Sequence, residues 1–107
     1  MSYVVEQGQD ESGNWYRRFS NGWVEQGGLY TTASTYTINF PIEFADLKYT
    51  IFLSYKTVYP GGGANESPRE LDRAGQQLRT TTSIQIWSNG TDYYGYAGSW
   101  EAKGFAA

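Results

Sequence analysis

The sequence predicts an all-β protein: an antiparallel β-sandwich of about six strands, with one short helical turn in its longest connection. Three observations carry this. Apolar residues recur at alternate positions rather than every third or fourth, which is the period of a strand. Asn-Gly and Gly-rich clusters separate the runs at the spacing of turns. Ten Tyr, five Phe and four Trp in 107 residues raise the aromatic share to 18%, and such residues fit a pleated, half-buried surface.

The first clear unit is a hairpin, Trp15-Tyr16-Arg17-Arg18-Phe19 and Trp23-Val24-Glu25-Gln26, joined through Ser20-Asn21-Gly22. Asn-Gly is the strongest short hairpin signal, because a primed turn needs positive φ at both central residues. A two-residue turn would set Arg18 opposite Glu25, whereas a three-residue loop shifts that pairing. Gly27-Gly28 is expected to end the strand. A second strand places Tyr36, Ile38 and Phe40 on one face and stops at Pro41, which cannot donate to a ladder.

A third strand runs over residues 49–59 with Tyr49, Ile51, Leu53 and Tyr55 on one face. Phe52 and Val58 break its alternation and predict burial on both sides or a bulge. A fourth, over residues 79–87, groups Thr80, Thr82, Ile84 and Ile86. The cluster Ser88-Asn89-Gly90-Thr91-Asp92 is a turn, and residues 93–105 supply the last strand or two.

The long connection over residues 60–77 opens on Pro60-Gly61-Gly62-Gly63. Ser67-Pro68-Arg69-Glu70 then has the pattern of a helix start, with a Ser cap, Pro at the first helical position and Glu three residues after the cap. One or two helical turns are predicted over residues 68–74, closed by Gly75. A connection of this length inside a compact domain is usually functional or mobile, a plain floppy insertion being the alternative. Val5-Glu6-Gln7-Gly8 returns as Val24-Glu25-Gln26-Gly27, too short a repeat to imply a solenoid.

Composition narrows function. The chain is the size of one domain. Its net charge of -3 and lack of a basic run argue against nucleic acid and anionic membranes as partners. No apolar stretch approaches the ~20 residues of a membrane span, and no signal peptide is legible. Cysteine and histidine are both absent, which removes thiolate chemistry together with the commonest general base and metal ligand. The carboxylates Glu66, Glu70 and Asp72 are interleaved with Arg69 and Arg73, as on a solvated face. The expectation is a binding protein, with no catalytic activity, metal or cofactor.

The run Trp15-Tyr16-Arg17-Arg18-Phe19-Ser20-Asn21-Gly22-Trp23-Val24-Glu25-Gln26-Gly27-Gly28 is similar to the signature that opens the C-terminal domain of phage and prophage tail-fibre proteins. Tyr36-Thr37-Ile38-Asn39-Phe40-Pro41 with Phe44, and Ser99-Trp100-Glu101-Ala102-Lys103-Gly104-Phe105, match that family's Phe-Pro strand end and its closing Trp-x-Ala-x-Gly-aromatic strand. The layout also resembles the H-type lectins, six-stranded sandwiches that trimerise and bind sugars. The resemblance spans nearly the whole chain except residues 60–77. It implies a homotrimer at a virion's tail-fibre tip, acting outside the cell and attaching to a bacterial surface polysaccharide without inserting into the membrane.

Trp15, Trp23, Trp100, Phe40 and Gly22 are expected to build scaffold, with contacts in the loops. The candidate ligand residues are therefore Tyr59, Asn65, Arg69, Asp72, Arg73, Trp87, Tyr93 and Tyr94, which lie in or beside the two longest loops. A structural domain that registers three chains without reading a receptor is the main alternative. A secreted carbohydrate-binding module is a further one.

Overall fold

The computed structural model describes residues 2–32, 35–57, 69–70, 72–73, 76–87 and 96–107. They are all-β and antiparallel. Strands run β1 (Val4–Gln9), β2 (Trp15–Phe19), β3 (Trp23–Thr32), β4 (Thr35–Asn39), β5 (Thr50–Thr57), β6 (Arg69–Glu70), β7 (Asp72–Arg73), β8 (Gln76–Gln77), β9 (Ser83–Trp87) and β10 (Tyr96–Phe105). A five-stranded sheet has the order β1-β2-β3-β10-β5, a three-stranded sheet the order β4-β9-β6, and β7 pairs with β8.

Alternation along the strands decides which side chains meet between the two larger sheets. Val24, Tyr30, Trp100 and Ala102 project from the five-stranded sheet, and Ile38, Ile84 and Ile86 from the three-stranded one, into a shared core. Burying each large aliphatic chain contributes roughly 1.5–3 kcal/mol. Residues 40–49 close one end of the sandwich. Phe44 stacks on Tyr49 at 4.4 Å between centroids, while Phe40 meets Phe44, Tyr49 and Trp100 at 5.2, 5.2 and 5.5 Å.

The one fully buried polar side chain among the described residues is Gln26. Its amide donates to the Ile42 carbonyl and accepts from the Ile42 N–H, both at 2.9 Å. Residues 40–44 are thereby fastened to β3 much as another strand would be.

Several expectations need correction. The first hairpin is joined by three residues, not by a primed two-residue turn. The Gly22 N–H donates to the Phe19 carbonyl at 3.0 Å and Gly22 takes φ +90°, the three-residue arrangement in which glycine follows the turn. Arg17 therefore faces Glu25, with an ion pair of 3.4 Å, while Arg18 pairs with Glu6 at 3.0 Å.

A second hairpin, β1–β2, repeats the design through Gly13 at φ +85°. β3 does not end at Gly27-Gly28 but continues to Thr32. Side chains from neighbouring strands lie over both glycines: the Trp15 ring over Gly27, and Asn14 with the Trp100 indole over Gly28. Phe52 is neither buried on both sides nor at a bulge. The β5–β10 register is unbroken there and its ring is 53% exposed.

β9 starts only at Ser83, because Thr80 caps a turn, accepting from the Thr82 and Ser83 N–H groups. The helical turn expected over residues 68–74 does not appear among the described residues, where Arg69–Glu70 and Asp72–Arg73 are extended. Tertiary contacts override the local capping pattern. Arg69 and Glu70 pair with Trp87 and Ile86, and the Glu70 carboxylate accepts from Arg79 Nε and Nη2, at 2.8 and 2.6 Å.

Candidate functional site

The two ends of the sandwich differ. At one, the residue 40–49 segment, the 79–82 turn, the first hairpin's turn and the C-terminus are stitched together. Phe40 and Phe44 donate to the Thr82 and Thr81 carbonyls, Ala106 to Gly22 and Ala107 to Glu43. The ladders run out at the other end, where Thr32, Tyr96 and Thr57 lie in one row across the larger sheet. Thr35, Trp87 and Arg69 form the corresponding row of the smaller one. These six positions flank residues 33–34, 58–68 and 88–95. Both loops that the sequence marked out thus leave from, or return to, this second end.

Of the candidate ligand residues, the structure brings the backbones of Arg69 and Trp87 together as direct cross-strand partners. Asp72 and Arg73 lie on β7, paired with Gln77 and Gln76. Tyr59, Asn65, Tyr93 and Tyr94 fall outside the described residues, as do Val58, the glycines at 61–63 and the 88–92 turn cluster.

The base of the long connection is held firmly. Beyond its bidentate contact with Glu70, Arg79 donates to the Leu47 and Tyr49 carbonyls at 2.8 and 2.6 Å, and its guanidinium lies 4.3 Å from the Tyr49 ring centre. The hydrogen bond it donates to Glu70 raises the Arg79 pKa above its ordinary value despite burial. Burial likewise pushes the Tyr49 phenol well above its ordinary range, opposed by the charge of Arg79. Its hydroxyl donates to the Thr80 carbonyl at 2.6 Å. Glu70 is thus committed to a structural ion pair and is not half of a free carboxylate pair.

The outer face of the five-stranded sheet has a different character. Leu29, Phe52 and Phe105 are 81, 53 and 54% exposed there. Trp23 packs edge-on against Phe105 at 5.1 Å. A charged row crosses the strands from Arg17 through Glu25 to Lys103 and Glu101, with contacts of 3.4, 3.8 and 3.6 Å. Sequence reasoning missed this face because nothing local showed which side of β3, β5 and β10 would be covered. Only the register shows that Leu29, Phe52 and Phe105 share one face, spread along it at the levels of Ser99, Glu101 and Trp23.

No family model matches the chain, and no curated protein does. Solved structures do. Over 95% of its length the chain resembles an N-truncated R2-type pyocin tail fibre, with TM-score 0.61 and 24% identity, covering 39% of that chain. A C-terminal R2 pyocin fibre fragment from P. aeruginosa matches at TM-score 0.61 and 24% identity, over 94% of this chain and 26% of that one. An R1 pyocin fibre fragment from P. aeruginosa matches at TM-score 0.57 and 15% identity, over 94% and 28%. The chain thus spans between about a quarter and two fifths of these fibre fragments, and its fold is one found within pyocin tail fibres.

Proposed function

We propose that this chain is the receptor-reading tip domain of a phage or phage-like tail fibre. It assembles as a homotrimer and attaches its particle, without catalysis, to a bacterial surface glycan such as lipopolysaccharide, capsule or teichoic acid. The observation that carries the reading is the likeness of nearly the whole chain to part of a pyocin tail fibre. The similarity of residues 15–28 to the opening signature of tail-fibre C-terminal domains points the same way.

In this account the stitched end is scaffold and the opposite end is the reading surface. Aromatic faces there pack on sugar C–H surfaces while amides and charged groups meet hydroxyls. Three weak sites on one trimer gain avidity through high effective concentration. The outer face that carries Leu29, Phe52 and the Trp23–Phe105 pair is where the other two copies would pack.

The test is to shorten the long connection while sparing its base. Residues 61–67 are replaced by a Gly-Ser linker, which leaves β6 and the Glu70–Arg79 pair intact. Melting should change little while binding to a panel of purified bacterial surface polysaccharides is lost. Parental affinity in the shortened protein would place the receptor site elsewhere.

The exposed outer face also favours a second reading, a trimer that caps the fibre without reading any receptor. An intact trimer that binds no polysaccharide on the panel would establish that reading instead.

A further inference from the structure

A second polar site, built from other residues, lies beneath the loop end in a cleft beside β4. The Asp10–Asn14 turn of the β1–β2 hairpin leans there over β4. The cleft holds ≈ 150 Å³ and is lined by Asp10, Ser12, Asn14, Tyr36, Thr37 and Trp100 among others. It is below the roughly 300–1,000 Å³ of pockets for drug-sized ligands, a volume fit for one sugar ring rather than an oligosaccharide.

Its floor is a matched donor and acceptor. Trp100 is 3% exposed, yet no protein group among the described residues accepts its indole N–H. The indole nitrogen itself keeps contact with the cleft, so it is available there as a donor. Asn14 is oriented by the Asp10 carboxylate, which accepts from its Nδ2 at 3.2 Å. Its Oδ1 is therefore turned the other way and accepts nothing.

Both free atoms sit over Gly28. A Cβ on that residue would overlap Asn14 Oδ1 outright and lie 2.9 Å from Trp100 Nε1. The second glycine of the Trp-x-Glu-Gln-Gly-Gly run thus keeps open the place where the two polar atoms converge. One hydroxyl group satisfies both, accepting from the indole and donating to the amide oxygen.

We infer that this cleft binds a single neutral sugar ring, one hydroxyl of which bridges Trp100 Nε1 and Asn14 Oδ1. Neighbouring hydroxyls reach the Asp10 carboxylate and the Ser12 and Thr37 hydroxyls, and the Tyr36 ring, 39% exposed, forms one wall. Asp10 is the one charged group of the lining and no cation offsets it, so anionic sugars are disfavoured. This site is built from residues other than those of the loop end proposed above, and each reading can fail alone.

The experiment titrates the intact, ¹⁵N-labelled chain with galactose, N-acetylglucosamine and rhamnose, and with glucuronate as the anionic control. The four Trp of the chain give four indole N–H resonances, and Trp100→Phe identifies the one to follow. At least one neutral sugar should shift it saturably, with a Kd on the order of 1 mM. Asn14→Ala should weaken that binding about tenfold or more. Thr37→Val, an exposed strand position tolerant of change, provides the same readout should the Asn14 variant misfold. The protein shortened over residues 61–67 should keep the titration unchanged.

The inference is overturned if no neutral sugar gives a saturable shift, which would leave an ordered water as the occupant. It is equally overturned if Asn14→Ala or Thr37→Val, still folded, binds with parental affinity, or if glucuronate binds as well as the neutral sugars.

Discussion

Replacing Gln26 by Met would test how the closed end is held. Methionine keeps the length and approximate volume of glutamine, so packing changes little. What is lost is the amide's pair of 2.9 Å hydrogen bonds to the N–H and carbonyl of Ile42, a residue 8% exposed. Each stranded backbone group costs about 1–3 kcal/mol. Removing the buried amide itself returns part of this, which leaves a net loss of about 3 kcal/mol. For a domain of this size that lowers Tm by roughly 12–24 °C, readable by calorimetry or far-UV circular dichroism.

Gln26→Glu gives a second arm. Its carboxylate can accept from the Ile42 N–H but cannot donate to the carbonyl, and protonation restores the donor. Its stability relative to the parent should therefore recover as the pH falls. A Gln26→Met protein within about 1 kcal/mol of the parent would refute this account of how residues 40–44 are held.

Two further outcomes follow from the same structure. Light scattering after size exclusion should give close to three times 12.1 kDa, and Leu29→Asp on the exposed sheet face should yield a folded monomer; a parent that is monomeric at high micromolar concentration refutes the trimer. The folded state holds the Tyr49 proton more tightly than the unfolded chain does, so the stability this contributes is complete below about pH 10 and lost as pH rises beyond it. Tyr49→Phe should cost about 1 kcal/mol at neutral pH and flatten that alkaline loss; a slope above pH 10 equal to the parent's would refute the assignment.

The sequence makes legible those elements whose burial is one-sided. Ile38 with Phe40, and Ile84 with Ile86, alternate because one face of each strand meets the core, and the Trp15–Gln26 hairpin carries its own turn. β1 was missed because Val4–Gln9 is an edge strand, mostly exposed on both faces and without alternation. The full length of β3 is not legible, because Gly27-Gly28 has the pattern of a breaker and only the folded chain lays Trp15, Asn14 and Trp100 over it.

The local capping pattern predicts a helical turn, but Glu70 is spent on Arg79, nine residues onward. A contact of that kind leaves no periodic trace. The loops that mark the candidate site were legible by length and composition, and the strand registers show that both attach at one end. The edge cleft was not legible. It depends on Asn14, Gly28, Tyr36 and Trp100 converging from four places in the chain, and the sequence pattern marks Trp100 only as scaffold.

The central claim is that the end carrying residues 58–68 and 88–95 reads a glycan. Hydrogen exchange, with and without a polysaccharide that the intact domain binds, tests this most directly. The account predicts slowed exchange at the strand ends facing those loops, at Thr32, Thr35, Thr57, Arg69, Trp87 and Tyr96, with Gly22, residues 40–44 and residues 105–107 unchanged. Protection confined to the stitched end, or to the outer face around Leu29 and Phe52, would contradict it.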